Sequence, residues 1–114
     1  VAQIIRITRS GDVIPTGRAS INLNGALRLN VAQGETEDYA FTWDAETSVT
    51  SAVVASNFTA ARADAGNITT VTVSGVSDEQ AGTATLTLTG ASDVRVIDLE
   101  VGSVVGKVVE RYGC

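Results

Sequence analysis

The sequence has no histidine and no methionine, and its 114 residues include one cysteine, one proline, one tryptophan and five aromatic residues in all. Each shortage excludes something. Without histidine, the commonest general base and the commonest transition-metal ligand are missing. The abundant serines and threonines therefore have no imidazole to activate them, and Lys107, the single lysine, lies near the end of the chain. The expectation is a protein that is not an enzyme and uses no cofactor. Cys114 is the last residue, so no disulfide can form within the chain, and the fold must rest on packing, as suits a reducing cytoplasm. Its thiol reads as unpaired, or as a bridge to another chain. The lack of methionine leads to the expectation that an initiator was removed ahead of Val1. No basic-then-apolar leader opens the sequence, and no run approaches the ~20 apolar residues that cross a bilayer, so no membrane contact is expected. With aromatics at 4% and hydrophobic residues at 44%, the core has to be built mainly from Val, Ala, Leu and Thr.

What the sequence does contain is β pattern. From Ile68 to Val101 three runs of β-branched and aliphatic residues, ITTVTVSG, AGTATLTLTG and VRVIDLEV, are separated by short Gly/Asp/Ser breaks and read as consecutive antiparallel strands. In the middle run Ala84, Leu86 and Leu88 alternate with Thr83, Thr85, Thr87 and Thr89, one greasy face against one hydroxyl face. DYAFTWDA puts Tyr39, Phe41 and Trp43 on one side, an anchoring core strand, although exposed rings in this pattern would also stack on sugars. With Leu86 and Leu88 they make the predicted core. Val49 and one of Val53 or Val54 continue a less regular strand, Phe58 caps the core, and AARADAGN (60–67) reads as a polar or helical turn. In the last run Val94 and Val96 share one parity while Ile97, Leu99 and Val101 share the other. That mismatch predicts either a β-bulge near Val96–Ile97 or a strand buried on both faces, one of them by a partner.

Charge divides the chain. Residues 1–28 carry +3, all the cations being arginine; residues 29–100 carry −9; the rest carries +1. Arg6, Arg9, Arg18 and Arg28, interleaved with Ile5, Ile7 and other aliphatics, suit an arm that docks on an acidic protein surface. The alternative is a first hairpin of the domain with solvated arginines. Nucleic acid is not expected as a partner, since the pI is near 4.5 and no aromatic stands among these arginines. Pro15 marks an edge or an extended arm, and Asn24-Gly25 a hairpin. The division expected is an arm or hairpin over 1–34, a sandwich over 35–101 and a tail over 102–114, where Val104, Val105, Val108 and Val109 could add a strand to a neighbour. The closest carboxylate pairs, Asp44 with Glu46 and Asp78 with Glu79, lie at turns without calcium-loop spacing. Asn57-Phe58-Thr59 and Asn67-Ile68-Thr69 match the glycosylation pattern by chance in so Thr-rich a chain.

From Glu37 to Val101 the order of pieces, DYAFTW, ETSVTSA, TTVTVSG, AGTATLTLT and VRVIDLEV, resembles an immunoglobulin-like module that recurs in structural proteins of tailed bacteriophages. The sequence departs from that module at Val53-Val54, where a Trp is usual, and at residues 62–67. The resemblance implies an all-β, immunoglobulin-like antiparallel β-sandwich with an extended N-terminal arm or hairpin. It also implies a noncatalytic virion structural protein, made in the bacterial host cytoplasm and placed on the capsid surface. A capsid decoration (cement) protein is the expected form, since the chain holds a single module. Its partners would be the major capsid protein or other virion proteins and sister subunits, met through Arg6, Arg9, Arg18, Arg28, Ile5 and Ile7. The alternatives are a tail accessory protein and a glycan- or cell-surface-binding module.

Overall fold

The computed structural model describes residues 3–16, 19–21, 25–32, 34–76, 82–91 and 93–102. They form ten strands: β1 (Gln3–Ile7), β2 (Val13–Ile14), β3 (Ala19–Ile21), β4 (Leu27–Asn30), β5 (Glu37–Trp43), β6 (Thr50–Ser56), β7 (Thr59–Ala65), β8 (Ile68–Ser74), β9 (Gly82–Thr89) and β10 (Val94–Gly102). Two five-stranded sheets, β2-β1-β5-β8-β7 and β3-β4-β10-β9-β6, pack face to face. This is an immunoglobulin-like β-sandwich with period-two side chains meeting in one aliphatic core.

Buried residues come from the inner strands, Ile5 and Ile7 of β1, Leu27 and Leu29 of β4, Tyr39, Phe41 and Trp43 of β5, Val71 and Val73 of β8, Leu86 and Leu88 of β9, and Ile97, Leu99 and Val101 of β10, while the edge strands add partly buried Val13, Ala19, Val53, Ala55 and Ala60. The predicted core residues Tyr39, Phe41, Trp43, Leu86 and Leu88 are all buried. Burying the three rings removes the sugar platform that their spacing also allowed.

The sheets are mixed, which corrects the expectation of an antiparallel sandwich. β1 runs parallel to β5, from Gln3↔Tyr39 to Ile7↔Trp43, and β4 runs parallel to β10, from Leu27↔Leu99 to Gly102↔Asn30. No tight turn joins either pair, so nothing in the local sequence dictates their direction; parallel neighbours need only a long connection, and each pair has one. The N-terminal segment is likewise no separate arm. It supplies two strands to each sheet, and Ile5 and Ile7, expected on a docking surface, are 0% exposed. A period-two strand shows which residues share a face but not whether that face meets its own core or a partner. The alternative reading of this segment, a first hairpin of the domain, describes the β1–β2 pair.

Two local expectations also change. Residues 59–65 are strand β7, paired over its full length with β8, and the turn shrinks to Gly66-Asn67. Gly66 takes φ +59 at the first position of this two-residue hairpin, where a side chain would be strained. The β9–β10 ladder runs without a break from Val94↔Thr89 to Val101↔Gly82, so no bulge occurs; Val94 and Val96 simply point outward. Gln3 and Gly102 lie at the end of the sandwich where β5 begins. The turns 8–12, 44–49, 66–67 and 90–93 gather at the other end. The predicted Asn24-Gly25 hairpin tip, Arg18 and residues 103–114 fall wholly or partly outside the described residues.

Along one side, edge strands β6 and β7 are tied together by Asp64. Its carboxylate accepts from Ser51 Oγ (2.6 Å), Ser51 N (3.2 Å) and the buried Thr69 hydroxyl (2.8 Å), with Arg62 Nη1 at 3.4 Å. Partial burial pushes the carboxyl upward, but the hydrogen bonds from Ser51 and Thr69 and the Arg62 charge outweigh it and hold Asp64 below its ordinary value. A carboxylate with a depressed folded value contributes stability above the unfolded pKa of ~3.9 and loses that contribution as pH falls through the folded value. Asp64→Asn is therefore expected to cost about 1–3 kcal/mol near neutral pH. In urea melts the gap to the unsubstituted protein should narrow as pH falls from the unfolded carboxyl value of ~3.9 through the lower folded one.

Candidate functional site

Two of the four arginines predicted to dock, Arg6 and Arg28, are engaged within the molecule. Arg6 Nε meets Asp44 Oδ2 at 2.6 Å, linking β1 to the turn after β5. Arg28 Nη1 meets Glu100 Oε1 at 2.7 Å across the parallel β4–β10 pair, and its Nε donates to Asn30 Oδ1 at 3.1 Å. The acidic surface expected on a partner is thus partly the domain's own. Arg9 is exposed in the 8–12 turn, and Arg18 lies outside the described residues. Arg6 and Arg9 line one open pocket with Thr8, Ser10, Asp44 and Asn67, while Arg28 stands on the other sheet.

The candidate acids at the end where the turns gather are each engaged by a neighbour, although Glu46 and Asp93 line one pocket. Asp44 is held by Arg6 and Asp64 by Ser51. Asp93 Oδ1 accepts from Val94 N, and buried Glu46 accepts from Ala91 N at 2.9 Å. Among the described residues no three or more His, Cys, Asp or Glu side chains are grouped so as to hold a metal ion. Asn67, in one of the two glycosylation patterns, spends its side-chain amide on Trp43 O.

A continuous feature appears instead on the outer face of the β3-β4-β10-β9-β6 sheet. The registers of β10 on β9 and β9 on β6 set outward side chains in four rows: Val94–Thr89–Thr50, Val96–Thr87–Ala52, Asp98–Thr85–Val54 and Glu100–Thr83–Ser56. The first two rows carry no charge, in a chain with 21 charged residues. Here the next charge lies in the third row, at Asp98. Val54 is 75% exposed and Val94 and Val96 are 57% exposed each, the three most exposed large aliphatics among the described residues. Threonine methyls continue the apolar surface, while the hydroxyls stay hydrated or available for hydrogen bonds. Such a surface is chemically suited to lie against another protein, because charged residues are depleted at the centres of protein interfaces.

The Thr-bearing side of β9 is visible in the sequence as an open face. Val94 and Val96 stand out in the sequence as one face of the last strand, which a partner could cover, but nothing there joins them, Val54 and Ala52 to the Thr face of β9. The usable signal was valine at outward parity on strands whose other outward residues are Thr, Ser and Asp. Reading it requires knowing that β6, β9 and β10 are neighbours.

No family model and no curated protein matches the chain. Among solved structures, an endo-fucoidan hydrolase from glycoside hydrolase family 107 is similar over 77% of this chain at 11% identity and a TM-score of 0.47. The chain covers 15% of that enzyme's length.

Proposed function

We propose that this protein is a noncatalytic structural module that docks on another protein through the outer face of β6, β9 and β10. The observation that carries the reading is the pair of charge-free rows, Val94–Thr89–Thr50 and Val96–Thr87–Ala52, with two half-exposed valines at their border. On the resemblance of residues 37–101 to tailed-phage modules, the finer proposal is a bacteriophage virion protein of the capsid decoration type. It would sit on the outer shell and stabilise it, with the major capsid protein and sister subunits as partners. The docking surface in this proposal differs from the one the sequence suggests. Ile5 and Ile7 are core, and Arg6 and Arg28 are paired, so the contact passes to the sheet face, with Arg9 left as an exposed cation of the N-terminal segment.

The test is co-sedimentation of the purified protein with phage shells stripped of their accessory proteins, together with immunogold electron microscopy of intact particles. Gold on heads is the expected outcome, gold on tails would favour the tail accessory alternative, and unlabelled particles would overturn the virion assignment. Val94→Asp with Val96→Asp should leave the fold intact, since both side chains point to solvent. The pair should weaken the contact by at least about 2 kcal/mol, roughly thirty-fold. Because the contacting rows are uncharged, binding should hold in high salt, where contacts between exposed charges are screened within ~8 Å or less. Steep salt weakening would return the contact to the arginines.

A further inference from the structure

The lower half of the same face holds a shallow groove of about 390 Å³, lined by Val54, Ser56, Thr83, Thr85, Asp98 and Glu100 with the smaller Ala26, Ala55 and Ala84. It differs from the upper rows in having a carboxylate at its rim. Asp98 is exposed and makes no hydrogen bond or ion pair with a described residue, whereas Glu100 is held by Arg28. Its floor is apolar at Val54, the most exposed large aliphatic among the described residues. An apolar groove with a free anion at its lip calls for a segment that brings aliphatic side chains and a cation together.

The chain itself provides one at this position. β10 forms one wall of the groove and ends at Gly102, two residues beyond Glu100, so the polypeptide emerges beside the groove. Residues 103–114, Ser-Val-Val-Gly-Lys-Val-Val-Glu-Arg-Tyr-Gly-Cys, follow. They contain four valines and a tyrosine with Lys107 and Arg111 against Glu110, a net +1 beside a body that carries −9 over residues 29–100. Twelve residues reach at most ~40 Å when extended, while the groove begins two residues from where the segment starts, so reach does not limit the contact. Gly106 divides the valines into two pairs and permits a reversal between them.

We propose that residues 103–114 fold back within the same chain and occupy this groove, their valines covering Val54 and Lys107 or Arg111 meeting Asp98. The segment then closes the lower rows of the face and leaves the Val94 and Val96 rows open. This inference does not depend on the docking proposal, because it concerns different rows and has a separate readout.

Cys114 is the only cysteine, so a nitroxide can be attached there without altering any other residue. In the isotope-labelled 114-residue protein, the amide signals of Val54, Thr85 and Asp98 should be lost to paramagnetic broadening and return when the nitroxide is reduced. Ala63 and Thr70, on the outer face of the other sheet, should keep their intensity. The double substitution Val54→Asp, Asp98→Lys, confined to exposed side chains, should restore the groove signals in the oxidised state. Equal broadening on both faces, or none on either, would overturn the proposal. So would broadening that appears only when nitroxide-bearing, unlabelled protein is mixed with isotope-labelled protein lacking the nitroxide, since the tail would then belong to a second copy. Unassigned loss caused by misfolding is separated by the reduced sample, in which all cross-peaks must remain dispersed.

Discussion

Removal of residues 1–16 should leave a chain that no longer folds cooperatively. The truncation strips β1 and β2 from their sheet, exposes the edge of β5 along five paired positions, and empties the core of Ile5 and Ile7. Each fully buried isoleucine contributes roughly 1.5–3 kcal/mol by burial alone, and the cavity left behind adds to the loss. Domains of this kind are stable by only about 5–15 kcal/mol in total. The deletion therefore removes a large fraction of that margin before the lost backbone pairing is counted. Circular dichroism and the dispersion of amide proton shifts would check it. A truncated chain that melts cooperatively would show the first sixteen residues to be an appendage after all. Arg6→Ala with Arg9→Ala provides the control: it removes both arginines of the segment but not its core residues, and should shift stability little, because exposed ion pairs are worth about 0–1 kcal/mol.

Phe41→Ala should be the most damaging single substitution of a side chain, at about 3–5 kcal/mol. Phe41 sits in the middle of β5, with Ile5 of β1 opposite on one side and Thr69 of β8 on the other, and is 1% exposed. A chain with only five aromatics has few large neighbours able to close the void. Urea denaturation should show a lower midpoint with an unchanged slope, the sign of lost stability without a change in the surface exposed on unfolding. Phe58→Ala offers an internal comparison. Phe58 is only partly buried against the core, so its loss should cost clearly less.

Side-chain parity made the centre of this fold readable. Tyr39, Phe41 and Trp43, and Leu86 and Leu88, announce an inward face through strict alternation, and the structure buries all five. The same alternation in β1 was ambiguous: Ile5 and Ile7 look alike whether they enter their own core or a partner's, and the neighbouring arginines favoured the partner. Only the ladder with β5 distinguishes the two. β7 was illegible for a different reason. In Thr-Ala-Ala-Arg-Ala-Asp-Ala only alanine, a strong helix former, alternates with the charges, and the extended form follows from pairing with β8, a case of tertiary context overriding local preference. The candidate face was half visible. The threonines of β9 declared an open surface, but the valines that make it a docking candidate lie on β6 and β10, and their adjacency is a property of sheet order.

The placement of Gln3 and Gly102 at one end of the sandwich has a consequence for any polypeptide that continues on both sides of this domain. Entry at Gln3 and exit at Gly102 would be neighbours, so threading successive units in line would need a connection that runs back along the length of the sandwich. With a short connection, each domain would stand out from the main path as a pendant, with the turns 8–12, 44–49, 66–67 and 90–93 at its far tip. A pulling force applied through the two ends would load the parallel β1–β5 and β4–β10 pairs from that one end. It would peel their hydrogen bonds apart in succession rather than shear them all together.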